Sequence, residues 1–453
     1  MAKAATRYVC QACGAVSPKW AGRCEACGEW NTLAEETLEA SPMAKGKPAA
    51  PGRRLAFVDL AGAAAPPPRA PTGIGELDRV LGGGLVPGSA ILLAGDPGIG
   101  KSTLLLQAAA KLASAGKRVL YVSGEEAVDQ VRLRARRLGL HQAPLELAAS
   151  INLRDIAASV AEAKDAALVV IDSIQTMWME GIESAPGSVS QVRASAFELI
   201  RVTKQMNAAL VLVGHVTREG TIAGPRVLEH MVDAVLHFEG DRGHQFRILR
   251  GVKNRFGATD EIGVFEMGEA GLTEVPNPSA LFLAERRGNI SGSAVFAGME
   301  GTRPVLVEVQ CLLSANAGGS PRRSVIGWDS GRLSMLLAVL EARCGLQMGG
   351  AEVYLNIAGG YRLTDPAADL AVAAALISAF SERPVPADAI VFGELSLSGE
   401  VRPVSHDALR LREAAKLGFS RGWGPKGMKG VNGIGVTGFG RLGELVDLML
   451  GRD

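Results

Sequence analysis

Aromatic side chains are scarce, 5% of 453 residues, and neither sign of charge dominates: 48 Lys and Arg against 47 Asp and Glu leave a net charge of +1. That balance excludes binding of a polyanion through bulk charge, so any nucleic-acid contact must come from local basic clusters. No apolar run approaches the roughly 20 residues that a membrane-spanning helix needs. The first residues, Met1 to Arg7, lack the apolar core of a signal peptide, so the expected location is the cytoplasm, with no membrane partner. Cysteine is sparse too, with six residues, too few for a disulfide scaffold of this length. What is plentiful is apolar content, 47%, beside 21% charged residues. That is a globular balance, and the length calls for two or three domains.

Four of the six cysteines fall in the first 27 residues, as Cys10-Gln-Ala-Cys13-Gly14 and Cys24-Glu-Ala-Cys27-Gly28. Each C-x-x-C-G turn offers two thiolates, and four thiolates make a closed tetrahedral site of the structural Zn²⁺ type. A redox pair would need only one such turn. Trp20 and Trp30 are expected to pack over this small module, and Lys19 and Arg23 are either phosphate contacts or solvated loop charges. Cys311 and Cys344 stand apart and read as small buried hydrophobes. The stretch 35–70 loses periodicity and is rich in Ala, Gly and Pro, which predicts a linker, with a short strand at Leu55 to Val58.

The centre of the chain is Gly95-Asp96-Pro97-Gly98-Ile99-Gly100-Lys101-Ser102-Thr103, which fits G-x-x-x-x-G-K-[ST] at every fixed position. The apolar run Ala90 to Ala94 precedes it as a buried parallel strand, and Leu104 to Ala115 follows as a helix. Glycines let the backbone curl around phosphate oxygens, and the helix adds its positive end. Lys101 is therefore expected on the β- and γ-phosphates of a nucleoside triphosphate, and Ser102 on its Mg²⁺.

Three further strands end in polar residues that can face this loop. Arg118 to Val122 leads to Ser123-Gly124-Glu125-Glu126, Leu168 to Ile171 to Asp172, and Ala209 to Gly214 to His215. Acids at the carboxyl ends of parallel strands can reach a bound phosphate. Met177 to Val192 reads as a mobile loop, with a helix from Ala194 to Asn207, and the helix Val128 to Leu138 carries four arginines on a solvated face.

The run "TGIGELDRVLGGGLVPGSAILLAGDPGIGKST" resembles the RecA/DnaB-type ATPase core. The resemblance implies that ATP is the nucleotide and that Glu125, with Glu126 as the alternative, polarises the attacking water. It implies further that Asp172 acts on Mg²⁺ through a metal water and that His215 senses the γ-phosphate. Thr217 to Arg226 would then be a DNA-binding loop. The pentapeptide Lys253-Asn254-Arg255-Phe256-Gly257, together with the thiolate module and the phosphate loop, resembles the bacterial RadA (Sms) recombination family over the whole chain. That likeness implies a DNA-stimulated ATPase, a hexameric ring that drives branch migration, acting on single-stranded and branched DNA beside a RecA-type recombinase. Lys253 and Arg255 are open between a DNA phosphate and the neighbouring subunit's nucleotide.

Beyond Pro276 the chain resembles the proteolytic domain of Lon, above all in "GELSLSGEVRPV". Lon needs a nucleophilic Ser with a Lys base. Here Ala367 follows Pro366, and after Pro403 no Lys occurs before Lys416. The expectation is a proteolytically inactive domain that assembles the ring, with Arg322, Arg323, Lys426 and Lys429 facing DNA. The organisation is thus a zinc module at 1–34, a linker at 35–70, a RecA-like α/β core with a parallel sheet at 71–275, and an α+β Lon-like domain at 276–453. Two rival functions are an ATP-dependent protease of Lon descent and a nucleotide-gated signalling scaffold of the RecA/KaiC type.

Overall fold

A computed structural model of the chain describes residues 5–10, 15–26, 28–30, 32–38, 68–215, 227–240, 246–259, 261–283, 290–316 and 318–452. They belong to two compact units, Met1–Glu274 and Val275–Asp453.

The first unit opens with a small antiparallel sheet of β1 (Ala5–Cys10), β2 (Val16–Ser17) and β3 (Leu33–Leu38), in the order β2-β1-β3. It continues through Leu38, past the end expected at residue 34. Its core is Cys10, Cys24 and Leu33, with Tyr8, Ala15 and Ala21 packed against them. Trp20 and Trp30 do not cover this core, contrary to expectation: they are 59% and 68% exposed. Leu33, Tyr8 and the two alanines already fill the space beside the thiols.

Next come α1 (Gly75–Val80), β4 (Ala90–Gly95), α2 (Lys101–Ser114), β5 (Arg118–Ser123), α3 (Val128–Arg137), β6 (Glu146–Ala149), α4 (Leu153–Glu162), β7 (Ala166–Asp172), α5 (Val189–Met206) and β8 (Ala209–Val213). A short α6 (Val227–Met231) leads to β9 (Ala234–Glu239), β10 (Phe246–Asn254), β11 (Ile262–Gly268) and β12 (Gly271–Glu274). These strands form one sheet, β12-β11-β10-β9-β4-β8-β7-β5-β6. From β9 through β6 the pairing is parallel, so β4, β5, β7 and β8 end on the same edge. β4 and β8 are buried along their whole length, which is why they read as unbroken apolar runs. One core joins α2 to the sheet through Leu104, Leu105 and Leu112, and a second joins α4 and α5 through Ile156, Val160, Val192 and Leu199.

α5 starts at Val189, earlier than expected, with the Ser188 side chain accepting from Gln191 N. The stretch before it is anchored, not a mobile loop. The buried Gln191 amide donates to the carbonyls of Met179, Ile182 and Ser184 at 3.2, 3.0 and 3.1 Å and accepts from Met179 N at 2.8 Å. Of the linker expected at 35–70, residues 35–38 belong to β3, while 39–67, with the short strand expected there, and the loop Thr217 to Arg226 lie outside the described residues.

The second unit contains α7 (Pro278–Phe282), β13 (Ser293–Glu300), β14 (Arg303–Ser314), β15 (Arg323–Ile326), α8 (Ser330–Cys344), β16 (Glu352–Ile357), α9 (Asp369–Ser381) and β17 (Ala389–Val391). The hairpin β18 (Glu394–Leu395) and β19 (Val401–Arg402) follows, then α10 (Asp407–Lys416), β20 (Arg421–Pro425), β21 (Gly435–Phe439) and α11 (Leu442–Leu450). Its mixed sheet runs β15-β16-β14-β13-β17-β20-β21.

The turn that resembles the Lon nucleophile site is filled by an ion pair. Ala367 is buried, and Asp365 Oδ1 accepts from its amide at 3.0 Å. Asp365 Oδ2 pairs with Arg410 at 2.7 Å. Arg410 is 1% exposed, donates to the Ala297 and Ser405 carbonyls at 2.6 and 3.1 Å, and lies over the rings of Phe296 and Phe392. Ser405 and His406 are exposed at the start of α10. Removing one partner of a buried pair strands the other charge, so Arg410→Ala should cost about 3–5 kcal/mol. Urea unfolding of the full chain checks this, and an unchanged midpoint for the second unit would refute it.

Candidate active site

The phosphate loop joins β4 to α2 at the shared strand edge. Its glycines are required by close approach: a Cβ on Gly95 would stand 2.4 Å from Phe238 O, and one on Gly100, at φ +118°, 2.7 Å from Met267 Cε. Gly100 is also the N-cap of α2 and supplies no side-chain acceptor, and no acid lies in the first turn. The first amides of a 14-residue helix are thus left for an outside anion. That arrangement fits a phosphate chain.

Lys101 is buried, and its Nζ donates to the Gly95 and Asp96 carbonyls at 2.7 and 2.9 Å. Burial lowers its pKa to about 8, against the opposing pull of Asp172, Glu125 and Asp96. It is therefore still an ammonium at neutral pH, placed where three acidic groups act on it.

The sheet brings the other predicted residues to this edge. Ser123 at the end of β5 pairs with Asp172 at the end of β7. Glu125 Oε1 accepts from Ser173 Oγ at 2.5 Å and lies 2.9 Å from His215 Nε2. These partners, His215 first, hold the Glu125 carboxyl down at about 2 despite partial burial. Glu126 is turned away to pair with Arg134. Of the two acids, then, only Glu125 joins Asp172, Lys101 and His215. His215 Nδ1 is buried with no hydrogen-bond partner among the described residues.

Three residues escaped the sequence reading. Ser173 orients Glu125. Tyr121, enclosed in β5, donates from its hydroxyl to Asp172 Oδ2 at 2.6 Å. Its burial beside Asp172 raises its pKa well above the ordinary phenol value, which keeps it a donor. Gln191 fixes the stretch after β7. In the sequence Tyr121 is one residue of the strand Arg118 to Val122, and nothing in the spacing marks Ser173 or Gln191.

The pentapeptide Lys253 to Gly257 lies away from the phosphate loop's own contacts. Lys253 Nζ donates to the carbonyls of Glu229 and Val232 at 2.6 and 2.8 Å, capping the end of α6, and burial lowers its pKa. Arg255 pairs with Asp233 at 3.2 Å, and Asn254 donates to Val80 O at 3.2 Å. Phe256 O accepts from Arg69, and Gly257 packs on Gly82 so tightly that a Cβ would lie 3.2 Å from Gly82 Cα.

In the N-terminal module the same backbone hydrogen bond recurs at each cysteine pair: Cys10 N donates to Ala15 O at 2.9 Å, and Cys24 N to Glu29 O at 2.8 Å. Cys10 and Cys24 are buried in one cluster, and Gly28 takes the left-handed φ of +78° that lets its N–H bond to Cys24 O. This repeated turn fits a thiolate-bound Zn²⁺. Cys13 and Cys27 lie outside the described residues. Among the described residues no helix is long and apolar enough to cross a membrane.

Comparison with known proteins agrees with this layout. Residues 53–221 match the family model of the AAA domain, 8–35 that of the rubredoxin metal binding domain, and 334–426 that of the ChlI subunit of Mg-chelatase. The DNA repair protein RadA of Brucella abortus (strain 2308) is 59% identical over 438 residues, 94% of this chain and 93% of the relative. That of Rickettsia felis is 52% identical over 422 residues, 93% of this chain and 94% of the relative. That of Bacillus subtilis (strain 168) is 49% identical over 458 residues, 96% of this chain and 97% of the relative. At 49–59% identity to these relatives over more than nine-tenths of its length, the chain belongs to the RadA family of DNA repair proteins, and its first unit contains an ATPase domain.

Proposed function

We propose that this protein is a DNA-dependent ATPase that processes recombination intermediates and promotes branch migration, working as a homo-oligomeric ring, hexameric by family likeness. Its DNA would be single-stranded and branched, and its working partner a RecA-type recombinase. The observation that carries this reading is the path from the nucleotide site to the segment 216–226. His215, bonded to Glu125, precedes that segment, and α6, capped by Lys253, follows it. A change at the phosphate end that moves His215 therefore acts on one flank of this stretch of chain, while Lys253 holds the other.

The residues divide the work. Lys101 leaves its carbonyls for the β- and γ-phosphates, and the α2 amides hold the same oxygens. Ser102 and Asp172 are the residues that would hold Mg²⁺, which when bound neutralises charge building on the phosphates. Tyr121 orients Asp172. Glu125 positions the attacking water. Held at about 2 it is a weak base, so the reading has His215 turn from Glu125 to the γ-phosphate and free the carboxylate as the site fills. Lys253 and Arg255 respond by releasing α6 and Asp233 toward DNA or toward the nucleotide of a neighbouring subunit. The second unit keeps no nucleophile or base at the Lon-like turn, where the Arg410–Asp365 pair stands, which favours assembly over proteolysis.

The test is a synthetic branched junction with labelled strands. ATP should move the branch point with the native protein, and an ATP-independent or absent movement would refute the reading. Lys253→Ala should keep ATP binding and lose most of this movement, at least about tenfold if the lysine supplies one charge-assisted contact worth about 1.5–3 kcal/mol. Full branch-migration activity in that variant would return Lys253 to a purely structural cap.

A further inference from the structure

The two tryptophans of the N-terminal module have no role in the site described above. Both are mostly exposed, at 59% for Trp20 and 68% for Trp30. Two large rings left in water on so small a module mark a contact surface.

Gly22 relates the two rings. A Cβ built there would sit 3.8 Å from Trp30 Cζ3 and 4.0 Å from Trp20 Cη2. Both rings therefore border one point, and these two atoms are separated by no more than the sum of those distances. A flat group stacked between two rings needs about 3.5–4.0 Å on each side. A base seated between them needs the rings to stand near that upper limit, and glycine leaves the floor clear.

Cations border the gap. The Arg23 guanidinium carbon lies 5.9 Å from the centre of the Trp30 ring, and Arg23 Nε is fixed by Gly28 O at 2.8 Å. Lys19, exposed, adjoins Trp20. Glu25 and Glu29 are exposed on the same module, so it offers no broad positive field. A partner gripped mainly by rings, with one or two phosphate contacts, matches that pattern. Paired aromatic faces with a few cations are the recognition chemistry of unstacked nucleobases.

We infer that Trp20 and Trp30 form a base-stacking slot for single-stranded DNA, with Arg23 and Lys19 meeting its phosphates. The inference rests on the DNA dependence proposed above and adds a second contact, on the thiolate module. It predicts an affinity governed by bases and only weakly by salt: two phosphates on a single strand give a slope of about −1.4 in log K against log salt.

The experiment uses the full-length, zinc-loaded protein and a labelled oligo-dT, with an abasic oligonucleotide of equal length beside it. Both rings are exposed, so Trp20→Ala/Trp30→Ala should fold and hold zinc as the native protein does. Base–aromatic stacking is worth about 1–3 kcal/mol per base, so the double variant should bind oligo-dT about ten- to a hundredfold more weakly. Its binding of the abasic strand should be unchanged. Equal binding of oligo-dT by the variant and the native protein would overturn the slot and leave DNA dependence standing. A variant that binds oligo-dT normally but loses a protein partner would overturn it in favour of a protein-docking surface. A native protein that binds neither oligonucleotide and shows no DNA effect on ATP turnover would remove the proposed function together with the slot.

Discussion

Lys101→Ala is expected to lower ATP turnover at least about a hundred- to a thousandfold, the loss seen when one preorganised electrostatic donor is removed. The side chain is buried at the start of α2, and among the described residues its hydrogen bonds run to the loop's own carbonyls, Gly95 and Asp96. Those carbonyls hold the ammonium within the loop, beside the helix amides that have no side-chain acceptor. Its pKa of about 8 shows how strongly burial acts on it. Incoming phosphates raise that value again, so the charge is present when it is needed. Alanine leaves developing charge on the γ-phosphate without its cation. Steady-state phosphate release measures the effect, with a thermal melt to establish that the variant folds. Near-normal turnover would remove Lys101 from the site.

Glu125→Gln should behave differently, keeping nucleotide binding while slowing hydrolysis about a hundred- to ten-thousandfold, the usual contribution of a positioned base. The amide is nearly isosteric and can still bond to Ser173 and His215. What it loses is the negative charge that draws a proton from water. The sign of the pH dependence follows from the depressed pKa. Beside His215 the carboxyl is held at about 2, and once released it returns toward the ordinary carboxylate range, still below about pH 5, so Glu125 sets no acid limb on the rate between about pH 5 and 8. Stopped-flow binding of a fluorescent nucleotide beside single-turnover hydrolysis separates the two steps. A variant that loses binding and hydrolysis together would make Glu125 a structural residue, and one that loses neither would shift the role to another group.

Much of this site was legible in the residues because its parts are local. The phosphate loop is a contiguous pattern, and its strand and helix lie directly beside it in sequence. Apolar runs such as Ala90 to Ala94 and Ala209 to Val213 announced strands covered on both faces. The choice between Glu125 and Glu126 was not local. It depends on β5 lying beside β7, so that Ser173 meets Glu125, and on β8 delivering His215 to the same point. Glu126 has an equally acidic sequence context, and only its pairing with Arg134 sets it aside.

Other expectations failed for identifiable reasons. The glycines and polar residues after Asp172 suggested a mobile stretch. A single buried amide, Gln191, with four hydrogen bonds to that stretch reverses the conclusion. Such a residue has no sequence signature, because exposed glutamines are common. Trp20 and Trp30 misled in the other direction. Tryptophan beside a metal module suggests a core, yet the thiols, Leu33 and small neighbours had already closed that core. Lys253 to Gly257 showed as a motif, while its hold on α6 and Asp233 required the fold.

The central claim is that hydrolysis at Lys101 answers to DNA. The most direct measurement is ATP turnover by the purified full-length protein with and without single-stranded DNA, with Lys101→Ala as the baseline. The account predicts turnover that rises with DNA, falls back as salt is raised, and disappears in the variant. Turnover that is unchanged by DNA at every salt concentration, yet still abolished by Lys101→Ala, would contradict it.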